Sequence, residues 1–385
     1  MGLAFPLRGR GTALAVDEAA VVLRLHQVYV VTPHPSALRA ATVQGVHWTP
    51  ALRASSRGRL IVACYVLYFN RKEARRVKIL GRLSNTQNAY DARGCVVAVG
   101  TFDGVHIGHQ TLISRAVALA HAADVPCVVF TFQNHPLSVL VPDRVPPSLS
   151  SPEERRRVFT SLGVDFVIEE PFTKELASLP AEVFLSRLVE TLAPRTVVVG
   201  ENFSFGAGGR GTPEFLAAKG KEMGFHVEKV PLLSYAGETV SSTRIRALLS
   251  AGDVRLAGEL LGRPFSIAGV VVHGNERGRT LGFPTANLLP PKGEACPANG
   301  AYAVRVVLES GEEKIGVANV GSNPTFDGNE RRVEAHLLDF AGNLYGRDIT
   351  VRFVERLRAE KKFPSPEALV GQIRRDEQKA REIFV

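Results

Sequence analysis

A regular alternation of short apolar strands and helical segments between Cys95 and Leu261 constrains the fold of this chain most. The runs CVVAVGT, PCVVFTF, VDFVIEE, TVVVG and FHVEKV are each followed by a segment with helical periodicity. Apolar runs without polar alternation are typical of strands that are buried on both faces. The pattern therefore predicts an α/β domain with a mostly parallel sheet, in which ligands bind beyond the carboxyl ends of the strands.

The periodicity changes after Arg263. The segments FSIAGVVVHG, GAYAVRVVLES, EKIGVANVG, RRVEAHLLDF and DITVRFVERL alternate apolar and polar residues and are separated by Gly, Asn and Pro turns. This alternation predicts antiparallel strands of a small barrel or sandwich. Ser365 and Pro366 then provide an N-cap and a first helical position, which predicts a C-terminal helix.

Composition narrows the class of protein. Hydrophobic residues make up 45% of the 385 and charged residues 22%, as in average globular proteins. The longest apolar run, Leu60 to Phe69, is about half of the ~20 residues that a membrane-spanning helix needs, so no membrane segment is expected. The four cysteines show no spacing typical of a disulfide framework or a zinc site, which favours the cytoplasm: Cys64, Cys95, Cys127 and Cys296.

The net charge of +9 is concentrated at the start of the chain. Residues 1–76 contain eleven Lys or Arg against three acids, so the other 309 residues carry only +1. The remainder of the chain therefore gives no electrostatic reason to expect nucleic-acid binding. We expect residues 1–76 to be an extension outside the functional enzyme. One alternative is that residues 1–76 are an Arg-rich transit peptide. The favoured alternative is that translation starts at Val77, because a valine codon can act as an initiator, and that residues 1–76 are upstream sequence included by a misassigned start site.

The string Gly100-Thr-Phe-Asp-Gly-Val-His-Ile-Gly-His109 stands where the first predicted strand ends and a helix begins. A helix N-terminus offers unpaired N–H groups and the positive end of a dipole, and glycines let a phosphate approach the backbone. His106 and His109 are three residues apart, so both rings can lie on one side of the first turn and donate to phosphate oxygens. The structural alternative is an ordinary turn with two solvated histidines.

Two later segments belong to the same edge of the predicted sheet. Gly200-Glu-Asn-Phe-Ser-Phe-Gly206 offers Asn202 and backbone amides to a nucleotide or a flavin. Val240-Ser-Ser-Thr-Arg-Ile-Arg246 opens a helix with three hydroxyls and two arginines, which suit the phosphates of a triphosphate. An ordinary capped helix is the alternative for the second segment.

The second half of the chain carries its own set of polar residues. A basic, Gly-rich loop from His273 to Gly282 precedes Pro284-Thr-Ala-Asn287. Thr285 and Asn287 supply two neutral oxygens, which suit a magnesium ion that also binds phosphates and water. A structural turn is the alternative to a magnesium site here. Glu334, farther along the chain, is a further candidate for a functional role, and the alternative for it is a solvated carboxylate.

These motifs together resemble the HxGH nucleotidyltransferase superfamily and, within it, the bacterial bifunctional riboflavin kinase/FAD synthetases. The resemblance covers residues 77–385 and rests on motifs that occur in order in both halves. Many members have Asp where this chain has Asn202, and residues 1–76 match nothing in the family. The motifs are GTFDGVHIGH, FQNHP, GENFSFG, VSSTRIR, GRTLGFPTAN, NVGSNPT and VEAHLLD.

The resemblance implies a Rossmann-like nucleotidyltransferase domain at 77–262 and a β-barrel riboflavin kinase domain with a C-terminal helix at 263–385. The resemblance further implies that riboflavin would be phosphorylated by MgATP to FMN, with Glu334 as general base and with Thr285 and Asn287 holding Mg²⁺. FMN would then attack the α-phosphate of a second ATP, giving FAD and pyrophosphate. The implied catalytic residues of that step are His106, His109 and Arg246. The implied ligand-binding residues are Gly100, Phe102, Asp103, Gly104, Gly108, Asn202, Ser242 and Thr243 for adenylyl transfer and Gly274, Arg277, Gly278, Gly282 and Pro284 for the kinase.

Three other functions remain open from the sequence. Another adenylyl or cytidylyl transferase of the superfamily would share the first domain, but the C-terminal barrel argues against it. A flavin carrier that has lost the chemistry would not be expected to retain the polar residues above. A nucleic-acid binder rests on residues 1–76 alone. The oligomeric state is left open, and the expected partners are the small molecules ATP, riboflavin and FMN.

Overall fold

A computed structural model describes residues 77–83, 94–274, 281–325 and 328–385, with only the backbone of 323–325 and 328–330. It also describes the backbone of two short strands, β1 (Leu23–Leu25) and β2 (Val28–Val30), which pair antiparallel and which the sequence did not predict. The chain divides into two units, Met1–Ala74 and Arg75–Val385. All structural statements below concern the second unit.

The first half of this unit is built on a six-stranded sheet in the order β3-β6-β5-β4-β7-β8, and its neighbouring strands are parallel. The expected α/β class is confirmed. Five of the strands coincide with the apolar runs; the sixth, β3, was not predicted. The strands are β3 (Lys78–Gly81), β4 (Cys95–Val99), β5 (Cys127–Phe132), β6 (Phe166–Glu170), β7 (Pro194–Gly200) and β8 (His226–Val230).

Helices cover both faces of this sheet, as the unbroken apolar strands require. On one face Val96 and Ala98 of β4 share a core with helix α1, and on the other face Val97 and Val99 share a core with α5. The helices are α1 (Ile107–Ala122), α2 (Leu137–Leu140), α3 (Pro152–Ser161), α4 (Lys174–Ala177), α5 (Ala181–Leu192), α6 (Pro213–Met223), α7 (Ser242–Ala251) and α8 (Val254–Leu261). A small hairpin of β9 (Ser234–Tyr235) and β10 (Glu238–Thr239) precedes α7.

The second half is an antiparallel six-stranded sheet in the order β11-β16-β13-β14-β15-β12. The sheet curls so that its edges meet. An isolated bridge between Val272, just after β11, and Asn287 of β12 shows this contact. Strand β12 was not predicted. The strands are β11 (Phe265–Val270), β12 (Ala286–Leu288), β13 (Gly300–Leu308), β14 (Glu313–Thr325), β15 (Gly328–Leu337) and β16 (Asp348–Ala359).

The predicted C-terminal helix is α9 (Pro366–Ile383), and the Ser365 hydroxyl accepts a hydrogen bond from the Ala368 amide. Its residue Ala380 packs with Ala301 and Ala303 of β13 in a small core beside the barrel. Among the residues that the structure describes, no helix is long and apolar enough to cross a bilayer.

The two halves share one apolar core. Ile245 and Leu249 of α7 and Leu260 of α8 are buried in the same cluster as Phe265 and Phe353 of the barrel. Residues 262 and 263, between which the domain boundary was predicted, directly follow α8, and the shared cluster contains residues from both sides of that point.

Candidate functional site

The turn between β4 and α1 has an unusual backbone that brings its polar groups together. Phe102, Gly104 and Val105 have φ values of 48°, 75° and 41°. A Cβ on Gly104 would lie 2.9 Å from the Leu149 Cβ, so both the conformation and the close approach favour glycine. Phe102 is buried with its ring edge-on to His109 at 5.3 Å between centroids. The turn therefore holds a fixed shape at the carboxyl end of the central strand.

His106 and His109 form a stacked pair at the start of α1. Their ring centroids are 3.6 Å apart, and the His106 Nδ1 caps the helix by accepting from the His109 amide at 3.3 Å. Burial lowers the pKa of His106 to about 4, and burial together with the neighbouring His106 lowers that of His109 well below its ordinary value. Both rings are therefore neutral at pH 7, and stacking two imidazoles costs no charge repulsion.

Asp103 is the centre of a hydrogen-bonded cluster rather than a free ligand. Its carboxylate forms an ion pair with Arg246 and accepts from the Leu149 amide at 3.0 Å and the Ser148 hydroxyl at 3.2 Å. Its backbone carbonyl accepts from the Ser242 hydroxyl at 3.0 Å. The cluster thus connects the β4–α1 turn to the first two turns of α7. The GTFDGVHIGH and VSSTRIR motifs, which were expected at the same edge of the sheet, therefore meet here.

The remaining residues predicted for this site lie around the cluster. Ser241 accepts from the Arg244 amide and caps α7, whereas Thr243 and Asn202 are exposed. The Asn202 Oδ1 would lie 3.2 Å from a Cβ on Gly200, so its side chain covers the end of β7. A Cβ on Gly108 would lie 3.2 Å from the His106 Nδ1, so this glycine leaves room for the ring.

Several residues at this edge were not assigned a role from the sequence. Ser148 and Leu149 hold Asp103, but they lie about 45 residues away in a loop without a recognisable motif. Burial lowers the pKa of His135, and the charges of Asp103 and Arg246 also act on it. His135 belongs to the FQNHP motif, which was the one signal that could have identified it. Arg155 is buried in α3 beside the same turn.

The second group of predicted residues meets on the barrel. Asn287 on β12 lies opposite Glu334 on β15, and Asn319 on β14 lies on the other side of Glu334. The Asn287 Nδ2 donates to the Thr285 hydroxyl and carbonyl, both at 3.3 Å, while its Oδ1 is buried without a partner. Burial raises the pKa of Glu334, and Arg332 opposes that shift. A buried orphan oxygen beside a hydroxyl and a carboxylate fits a hard cation.

The turn before β12 is fixed from two directions. The His336 Nδ1 lies 2.7 Å from the Pro284 carbonyl, and its Nε2 lies 3.0 Å from the Glu377 carboxylate of α9. On the other side Gly274 leaves room for Asn287, because a Cβ there would lie 2.6 Å from that side chain. Gly282 has a φ of 89° and is exposed, while Arg277 and Gly278 lie outside the described residues.

Two family models match the two halves of the chain. The FAD synthetase family model matches residues 88–244 and the riboflavin kinase family model matches residues 261–384. The bifunctional riboflavin kinase/FMN adenylyltransferase of Escherichia coli K12 is 40% identical over 310 residues, which are 80% of this chain and 98% of the relative. The chain belongs to this bifunctional family. The predicted riboflavin kinase and FMN adenylyltransferase activities are confirmed, and ATP, riboflavin and FMN are its substrates.

Further relatives agree with this assignment. The bifunctional riboflavin kinase/FMN adenylyltransferase of Pseudomonas fluorescens is 42% identical over 75% of this chain and 93% of its own length. A solved structure described as a macrolide-efflux protein from Streptococcus pneumoniae is 35% identical, with a TM-score of 0.73, and covers 79% of this chain and 99% of that one. Because 79% of the chain is more than either half contains alone, this likeness extends over both halves.

Proposed function

We propose that residues 77–262 transfer AMP to FMN at the histidine pair and that residues 263–385 phosphorylate riboflavin beside Glu334. The observation that carries this assignment is the separate convergence of the two predicted residue groups. His106 and His109 stack at the N-terminus of α1, whereas Asn287 and Glu334 are direct neighbours on the barrel. The histidine pair lies in the half that matches the FAD synthetase family, and Glu334 lies in the half that matches the riboflavin kinase family.

In the kinase half, Glu334 accepts the proton of the terminal ribityl hydroxyl of riboflavin as that oxygen attacks the γ-phosphorus of ATP. The O–P bond to ADP breaks, and FMN and ADP leave. Thr285 and Asn287, whose Oδ1 is buried without a partner, would hold Mg²⁺, which would supply neutralisation of the phosphate charge. Gly274, Gly282 and Pro284 bind the phosphates of ATP in this half.

In the adenylyltransferase half, an FMN phosphate oxygen attacks the α-phosphorus of ATP, and the bond from that phosphorus to the β-phosphate oxygen breaks to release pyrophosphate. The nucleophile is already ionised, so no general base is required. The neutral imidazoles of His106 and His109 donate hydrogen bonds to the phosphate oxygens at the N-terminus of α1. Arg246, Ser242 and Thr243 bind the departing phosphates.

We also propose that residues 1–76 are dispensable and that the enzyme works in the cytoplasm. The first proposal is supported by the family matches, which begin at residue 88, and by the division of the chain after Ala74. The second is supported by the scattered cysteines, of which Cys127 and Cys296 are free thiols.

A chromatographic time course tests the assignment. The full chain and residues 77–385 are each incubated with riboflavin, ATP and Mg²⁺, and riboflavin, FMN and FAD are resolved. We expect transient FMN followed by FAD, at equal rates for both proteins. FMN that accumulates without FAD in both proteins would contradict the adenylyl-transfer assignment and favour another acceptor at the histidine pair. FAD formation by the full chain alone would contradict the dispensability of residues 1–76.

A further inference from the structure

Arg155 is a buried cation that forms no ion pair with any residue that the structure describes. Only 8% of its surface is exposed, and its guanidinium makes one hydrogen bond, from Nη1 to the Phe132 carbonyl at 3.3 Å. Its Nε is buried without any partner. Within the described part of the chain no carboxylate forms an ion pair with Arg155, whereas the adjacent Arg156 is paired with Glu169.

Such a group is costly in the apo protein. Removing a guanidinium from water is unfavourable unless ion pairs and hydrogen bonds replace its hydration. Burial accordingly lowers the pKa of Arg155, and the carboxylates of Glu169 and Asp103, farther away, raise it in part. Nη2 makes no hydrogen bond to any described residue. Arg155 therefore retains unused donor capacity.

The position of α3 directs this side chain to the carboxyl end of the central strands. Phe159, one turn after Arg155 on the same face, packs edge-on against Phe102 with centroids 6.1 Å apart. Helical side chains lean toward the N-terminus, so Arg155 lies between that contact and the end of β5, where Phe132 accepts its hydrogen bond. Helix α3 also contacts the turn that carries Asp103.

We propose that Arg155 is a phosphate-binding residue of the adenylyl-transfer site. This inference rests on the proposed function of the histidine pair. The missing counter-ion is a phosphate group that a substrate brings to the end of β4 and β5, where a planar guanidinium donates two hydrogen bonds to phosphate oxygens. The phosphate monoester of FMN and the triphosphate of ATP offer the same chemistry, and kinetics can separate them.

The test uses Arg155→Met, which keeps the length of the side chain and removes the charge, and Arg155→Lys, which keeps a charge without the planar fork. The control is Arg157→Met, on the exposed side of the same helix. For each full-length variant, the KM values for FMN and ATP and the kcat of FAD formation are measured, together with riboflavin kinase activity and urea unfolding.

We expect Arg155→Met to raise one KM at least tenfold. A rise for FMN assigns the contact to the monoester, and a rise for ATP assigns it to the triphosphate. Arg155→Lys should recover part of the loss, kinase activity should stay unchanged, and stability should not fall, because the variant removes an unpaired buried charge. Unchanged KM values together with a lower unfolding midpoint would overturn the proposal and make Arg155 structural. If the unaltered enzyme converts riboflavin to FMN but no FMN to FAD, the proposed function of the histidine pair has failed instead.

Discussion

Asn287 and Glu334 lie directly opposite each other on β12 and β15. Side chains at such positions on one face have Cβ atoms about 5 Å apart, which is close enough for one substrate phosphate to contact both. Asn319 lies opposite Glu334 on its other side, so the carboxylate stands between two neutral amides. Of these three residues, Glu334 is the one able to accept a proton.

We expect Glu334→Gln to lower riboflavin kinase turnover by about 10²–10⁴, the usual contribution of a general base. FAD formation from supplied FMN should remain intact, because the histidine pair is a separate site. Steady-state assays of both reactions measure this, with the exposed Glu309→Gln as the control on the same barrel. Equal loss of both activities would contradict the two-site assignment.

The pH dependence of kcat/KM in the kinase reaction should reflect the raised pKa of the partly buried Glu334 carboxyl. Burial raises the pKa of this carboxyl, and a general base must be ionised. The kcat/KM for riboflavin should therefore fall with decreasing pH, with a midpoint above the ordinary glutamate value of about 4.3. A profile of kcat/KM between pH 4 and pH 9 measures the midpoint. A pH-independent rate down to the ordinary value would argue against Glu334 as the base.

The converse substitutions are His106→Ala and His109→Ala. Each removes a donor to the phosphate oxygens of the transition state and should lower FAD formation by about 10²–10³, as for an oxyanion-hole donor. The kinase should convert riboflavin to FMN at nearly the normal rate, so FMN accumulates. Product ratios from the chromatographic time course measure this, and exposed His226→Ala is the control. Normal FAD formation by either variant would remove that histidine from the mechanism.

The sequence predicted the parts of the fold that local patterns determine. Strand β4 and helix α1 were recognised because an unbroken apolar run is followed by a glycine-rich turn and a helical period, all within 28 residues. Strand β12 was not recognised, because two of its three residues lie inside the Pro284-Thr-Ala-Asn287 turn motif and the strand gains its pairing from β15. Strand β3 depends in the same way on β6.

The contacts that organise the first site could not be predicted in the same way. The ion pair of Asp103 with Arg246 spans 143 residues, and the Ser148 hydroxyl comes from a loop 45 residues away. The sequence suggested a ligand-binding role for Asp103 and phosphate binding for Arg246, and the fold adds an ion pair between the two residues. The buried Arg155 also has no sequence signal, because three consecutive arginines in α3 suggest a solvated face.

The histidine pair should make the enzyme sensitive to acid. The folded-state pKa of His106 is about 4, below its ordinary 6.5, so the unfolded chain takes up a proton first as the pH falls. The free energy of unfolding should therefore decrease between about pH 6.5 and about pH 4, by about 3 kcal/mol from His106 alone. Urea unfolding across this range measures the slope. His106→Gln should flatten it, and an equal slope in the variant would show that other groups cause the acid sensitivity.

Gly274→Ala tests the shape of the kinase site without changing a polar group. The added Cβ would lie 2.6 Å from the Asn287 side chain, so that side chain has to move away from Thr285. A displacement of about 1 Å in a positioning residue costs about 10²-fold in rate, so kinase activity should fall by that order while FAD formation from FMN continues. Gly269→Ala on β11 is the matched control, because its Cβ would meet Leu288 at an ordinary 3.7 Å. Similar kinase rates in the two variants would show that the position of Asn287 does not limit the reaction.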